Sequence, residues 1–147
     1  MVGVWAVLSA LALTVLIGLV MRARDGRIST RRTAATDTRA AALPEPVREL
    51  LDPPVPVTLV QLSTTFCAPC RHTKVLLTDL AGRTEGLRHV ELDVTDLPDV
   101  AADLGVLRTP TTLALDPSGA ELLRVGGVPK RDVLLEALRP HLPSPIG

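Results

Sequence analysis

Cys67 and Cys70 are the only cysteines in a chain of 147 residues, three apart in Phe66-Cys67-Ala68-Pro69-Cys70-Arg71. A pair at that spacing supports two chemistries, dithiol–disulfide exchange or half of a metal site. A hydrophobic run, VTLVQLS (57–63), precedes the pair, and helical spacing follows it in CRHTKVLLTDLAG. The cysteines therefore stand where a strand gives way to a helix. Unpaired backbone N–H groups and the positive end of the helix dipole favour an anion at such a junction. A thiolate at Cys67 is stabilised there, and thiolate is the reactive form. Cys70 lies one helical turn further on, close enough to attack a mixed disulfide formed at Cys67. Pro69 fixes one φ angle in the first turn without costing a hydrogen bond.

The metal alternative is short of ligands. A structural zinc site needs about four, and His72, His89 and His141 are the only histidines, with no second cysteine pair. The expectation is no metal and no separate cofactor, the redox group being a Cys67–Cys70 disulfide. Two cysteines are also too few for a stapled secreted scaffold.

Composition removes further classes. Sixteen basic residues balance sixteen acidic ones, and Trp5 and Phe66 are the only aromatic residues. A nucleic-acid binder carries a basic excess and surface aromatics for stacking, so no nucleic-acid partner is expected. The core must be built from Leu, Val and Ala.

The elements that would position the cysteines alternate along the chain. Val57–Ser63 reads as a strand covered on both faces. A helix follows, with Val75, Leu76 and Leu80 apolar and Gly82 as its stop. LRHVELDV (87–94) alternates like a strand, and Pro98 opens a short helix that Gly105 closes. Thr111–Leu115 and Ala120–Val125 flank the turn sequence DPSG as a hairpin. KRDVLLEALR (130–139) is an amphipathic helix. This order is α/β, and roughly 95 residues suffice for one small core.

On these residues the chain resembles the thioredoxin family from about residue 55 to 142. FCAPCR is similar to that family's WCGPCK. Arg108-Thr109-Pro110-Thr111 resembles the loop whose proline is cis and faces the dithiol, an uncommon bond and so a specific expectation. Val125-Gly126-Gly127 is similar to the glycine segment approached by substrate backbone. The resemblance implies a thioredoxin-like fold, a central mixed sheet flanked by helices. It implies Cys67 as attacking thiol and Cys70 as resolving thiol. Phe66, Ala68, Pro69, Thr109, Pro110 and Gly126 would form the substrate-binding surface, with the Thr109 backbone pairing to an extended peptide. The partners implied are protein thiols and disulfides, together with a reductase or oxidant that recycles the site.

Departures from the family pattern fall around the dithiol. Gln61 occupies the position of a buried Asp that accepts the proton of the resolving cysteine, and Gln cannot take a proton. His89 is read at the position of that Asp's partner Lys, where it would titrate near neutrality. The plainer reading of His89 is an exposed strand histidine. Ser63 replaces an aromatic residue, Phe66 replaces the Trp before the first cysteine, and Val75 replaces a helix-kinking proline.

Residues 1–21 contain no charged side chain. As a helix they reach roughly 30 Å, the thickness of the hydrocarbon core. A cleaved signal peptide would have a basic start, a shorter run and small residues at its end, whereas MRARDGR follows here. The expectation is one retained transmembrane helix (1–21). A flexible basic linker with a possible short helix (22–54) and a thioredoxin-like domain (55–147) would follow it. Arg22, Arg24, Arg27, Arg31 and Arg32 flank the span on its C-terminal side. They point to a single-pass protein of the cell membrane whose domain is cytoplasmic, with anionic lipid as a further partner. An extracytoplasmic domain is the alternative.

The expected function is membrane-anchored dithiol–disulfide exchange in cell redox homeostasis. The competing function is a membrane-tethered adaptor that binds partners without significant turnover.

Overall fold

A computed structural model describes residues 2–24, 27–29 and 43–143. Helix α1 (Val2–Arg24) is followed by a short strand β1 (Arg27–Ser29) and a one-turn helix α2 (Glu45–Arg48). Then come β2 (Val57–Ser63), α3 (Ala68–Gly82), β3 (Leu87–Asp93) and α4 (Pro98–Asp103). The chain closes through β4 (Thr111–Leu115), β5 (Glu121–Gly126) and α5 (Arg131–Leu138), capped by a 3-10 turn at Arg139–His141. The five strands form one mixed sheet in the order β1-β5-β4-β2-β3. Among the described residues only β2 and β3 are parallel, and the helix α3 that joins them makes the crossover such a pair requires.

Period-two alternation on β2 divides the core between the two faces of the sheet. Val57 and Leu59 join Leu77 and Leu80 of α3, Leu123 and Val125 of β5, and Leu134 and Leu138 of α5. Val60 and Leu62 face the other way, against Val47 of α2, Val100 and Leu104 of the α4 region, and Leu113 and Leu115 of β4. Each fully buried Leu or Val contributes about 1.5–3 kcal/mol of apolar transfer energy. Gln61 continues the Val57–Leu59 row, so the packing of that row aims a buried polar side chain at α3.

The expected hairpin is present. Asp116 Oδ1 accepts from the N–H groups of Ser118 and Ala120 and from the Ser118 hydroxyl, closing DPSG. Gly119 supplies the left-handed φ of 89° that this turn requires.

Three features differ from expectation. Arg27–Ser29, expected within the linker, adds an antiparallel edge strand to β5, and Ile28 packs against the α3/α5 core. Val47 is fully buried, so α2 belongs to the core rather than to a free linker. On α3 the buried stripe is Cys70, Thr73, Leu77 and Leu80, whereas Val75 is 71% exposed. The stripe is set by where the helix meets β2 and β3, and Val75 falls on its outer side. Residues 25, 26 and 30–42 of the expected linker, Arg31 and Arg32 among them, lie outside the described residues.

A candidate dithiol–disulfide active site

Both cysteines are placed by the start of α3. Cys67 is its N-cap residue, with extended backbone, and its Sγ accepts a hydrogen bond from the Cys70 N–H at 3.1 Å. Its carbonyl accepts from the same N–H at 3.1 Å. Pro69 occupies the first turn, where no N–H is needed. Cys67 and Cys70 are joined in a disulfide, with their Cα atoms 5.2 Å apart. The two sulfurs differ in access. Cys67 is half-buried, whereas Cys70 is 2% exposed. Phe66 beside them is 100% exposed, and Ala68 and Pro69 are also exposed.

A second segment closes on the same end of the sheet. The Thr109–Pro110 peptide bond is cis, as expected for this loop. The Thr109 hydroxyl lies 3.2 Å from that of Thr64, which ties the loop to the stretch between β2 and Cys67. Pro110 is buried, and its carbonyl accepts from the Gly127 N–H at 2.8 Å. Gly126 pairs with Thr111 across the β4–β5 ladder. Arg108 crosses over Gly126 and donates to its carbonyl at 3.1 Å. A side chain at position 126 would meet that guanidinium at 2.9 Å, so glycine leaves the room it needs. Phe66, Cys67, Thr109, Pro110 and Gly126 thus gather from three separate segments.

Behind the disulfide, the Gln61 Nε2 donates to the Cys70 carbonyl at 2.9 Å. Opposite Gln61 in the parallel ladder stands Glu91. Its Oε1 accepts from the Ser63 hydroxyl at 2.7 Å and, more weakly, from Gln61 Nε2 at 3.4 Å. Its Oε2 pairs with Lys74 Nζ of α3 at 2.7 Å. Partial burial opposes ionisation of Glu91, but the bonds from Lys74 and Ser63 prevail and hold its carboxyl below the usual range. The same pair holds Lys74 above its ordinary value.

His89, read from the sequence as the partner of the Gln61 position, is elsewhere. It pairs with Leu59, one pleat away. It is half-buried rather than exposed, with Nδ1 3.1 Å from the Thr78 hydroxyl. Burial pushes its pKa down; Glu91 opposes this and Lys74 adds to it. Sequence reasoning missed Glu91, and the available signal was the equal offset of 30 between Val57–Leu87 and Gln61–Glu91 in two strands of matching pattern. Among the described residues, no three His, Cys, Asp or Glu side chains cluster as metal ligands.

The fold and site have counterparts among known proteins. The thioredoxin family model matches residues 47–140. Thioredoxin 1 of Nostoc is 32% identical over 96 residues, covering 65% of this chain and 88% of that protein. The thioredoxin of Staphylococcus saprophyticus is 32% identical over 87 residues, covering 58% and 83%. The crystal structure of thioredoxin NaTrxh from Nicotiana alata superposes with a TM-score of 0.52 at 31% identity, covering 59% of this chain and 74% of that one. With the disulfide at the start of α3 and the cis proline loop beside it, the chain belongs to the thioredoxin family and is a thiol–disulfide oxidoreductase of that type.

Proposed function

We propose that this oxidoreductase works from a membrane, anchored by residues 1–21. Residues 22–54, expected as the linker to a domain at 55–147, carry β1 and α2, which join that domain's sheet and core. A window of α1, Val4–Arg22, has a mean hydropathy of 2.5 and is not buried by the other described residues. That length and composition suit a bilayer span. The arginines that follow favour a cytoplasmic domain by the positive-inside rule, with anionic lipid in contact. An extracytoplasmic domain is the alternative sidedness.

Exchange proceeds in two displacements. In the reducing direction the Cys67 thiolate attacks one sulfur of a partner disulfide, and the partner's other sulfur leaves as a thiolate. Cys70, after losing its proton, attacks Cys67 Sγ. The partner's second sulfur is expelled, and the Cys67–Cys70 disulfide closes. Two electrons have passed to the partner, whose two thiolates take up protons. The oxidising direction is the same path reversed. A reductase or an oxidant then resets the pair. The observation that carries this reading is the unequal access of the two sulfurs. Cys67 is reachable and its Sγ accepts a backbone N–H, whereas Cys70 waits behind it, 2% exposed. Phe66, Ala68, Pro69, Thr109, Pro110 and Gly126 form the rim on which a partner peptide docks, while Gln61 tunes the site from behind and His89, one pleat away, acts on it more weakly.

Replacing Cys70 with Ser tests the reading, because the second displacement is then blocked. A partner disulfide protein should accumulate as a mixed disulfide on Cys67, and Cys67→Ser should abolish it. Failure to trap any disulfide partner would favour a membrane-tethered adaptor. A membrane-impermeant maleimide applied to intact cells, with and without a reductant, then reports sidedness and resting redox state.

A further inference from the structure

The strand β1 constrains where the active site can be, given α1 as a membrane span, the reading on which this inference rests. Helix α1 ends at Arg24, and β1 begins at Arg27. Three peptide steps reach at most roughly 11 Å. Arg27 is the residue opposite Gly126, and paired Cα atoms lie roughly 5 Å apart. The end of α1 therefore lies within roughly 16 Å of Gly126. Gly126 in turn pairs with Thr111, next to the cis Pro110. From Arg27 the strand runs away from this end, toward Arg124. The chain thus enters the domain at its dithiol end. A free tether of residues 22–54 would instead have a root-mean-square span of roughly 30 Å, and would let the domain turn in any direction.

We infer that the exchange groove is held at the bilayer surface, and that its partners are membrane proteins whose disulfide lies within a few residues of their own membrane segment. The rim of the groove suits such a partner. Phe66 directly precedes Cys67, Leu107 lies two residues before Thr109, and they are 100% and 97% exposed. They offer apolar contact to residues leaving the hydrocarbon core, where aromatic and aliphatic side chains concentrate. The covalent step is the exchange already described. The partner's own cystine or dithiol supplies or takes the two electrons, and no further reagent is needed.

The test uses the full chain in phosphatidylcholine–phosphatidylglycerol vesicles containing a trace of rhodamine-labelled lipid. A donor dye is placed on Cys67 in Cys70→Ser. In a second protein it is placed on Ser118→Cys, in the turn at the far end of β5, with Cys67 and Cys70 both changed to Ser. Energy transfer to the lipid should be clearly higher from Cys67 than from Ser118. Inserting about twenty Gly/Ser residues between Asp25 and Gly26 should erase the difference. In the otherwise unaltered chain, the same insertion should slow exchange with a transmembrane peptide whose disulfide lies just outside its apolar stretch. The drop should be about tenfold, as local concentration is diluted. Exchange with the same disulfide on a soluble peptide should stay within about twofold. Equal transfer from both positions, or equal effects on both peptides, would overturn the inference while leaving the anchor intact. A chain that washes off the vesicles at alkaline pH would overturn the anchor reading and the inference with it.

Discussion

The amide of Gln61 donates to the carbonyl of Cys70 at 2.9 Å, so the second cysteine of the site is held from behind by a neutral side chain. The other atom of that amide, Oε1, is buried with no hydrogen-bond partner among the described residues. One half of Gln61 thus holds the Cys70 backbone, and the other half makes no hydrogen bond to the described residues.

Gln61→Asp should therefore be destabilising at neutral pH. The shorter side chain has no N–H for the Cys70 carbonyl, and a charged carboxylate would be buried opposite Glu91. Burial and a like charge both raise a carboxyl pKa. By the sign of the linkage, a raised folded-state pKa leaves the variant closest to wild type below the unfolded value, and the deficit grows as pH rises through the folded one. Urea unfolding at several pH values reads this directly. A constant deficit would mean the carboxylate is not buried. Gln61→Leu, which only removes the hydrogen bond, should lose about 1–3 kcal/mol with little pH dependence.

Glu91 gives the opposite sign. Its folded-state carboxyl lies below the ordinary range because Lys74 and Ser63 hydrogen-bond it against the effect of burial. The stability it contributes is present above the unfolded value and is lost as pH falls through the folded one. Lys74→Met should move the Glu91 pKa upward and shift the acid unfolding limb to higher pH. Carboxyl chemical shifts in a titration of both proteins would check this. An unchanged Glu91 titration would mean that Ser63 alone holds the carboxylate.

His89 is kept toward its neutral form mainly by burial. The unfolded chain binds its proton more readily than the folded one. Stability therefore falls as pH drops below the unfolded histidine value and levels off below the depressed folded one. His89→Gln should flatten that window while keeping the bond to Thr78. It should move the reduction potential less than Gln61→Leu does, because His89 pairs with Leu59 rather than with Gln61. A glutathione redox titration of both variants separates the two positions.

Much of this arrangement is legible in the sequence because it is local. Strand β2 is a continuous apolar run, Pro98 opens α4, and DPSG closes the hairpin. The dithiol falls between a strand pattern and a helix pattern, which is enough to make Cys67 an N-cap residue. What was not legible is relational. A three-residue strand such as β1 is too short to show a period. Its pairing with β5 depends on Ile28 finding an apolar place beside Val125. The neighbour of Gln61 depends on the register between β2 and β3, and misjudging it by one pleat puts His89 where Glu91 stands. Thr73 is buried on α3 although its type suggests a surface position. Packing geometry, not residue character, placed it.

Stability and exchange should separate between two large apolar residues near the site. Leu77 is fully buried in the core that α3 shares with β2. Leu77→Ala removes buried methyl groups and leaves a cavity, so it should cost about 2–5 kcal/mol. Its folded fraction should nevertheless keep near-normal exchange, since Leu77 lies two turns along the helix from Cys70. Phe66 is exposed over its whole surface and packs against none of the described residues. Phe66→Ser should leave stability within about 0.5 kcal/mol. It should still slow exchange with protein disulfides several-fold, because a partner peptide loses its apolar contact beside Cys67. Exchange with a small disulfide, which needs no such contact, should change little. Measuring unfolding and both exchange rates on the two variants gives a crossed pattern. If Phe66→Ser slowed both disulfides equally, the phenyl ring would be acting on the reactivity of Cys67 rather than on docking.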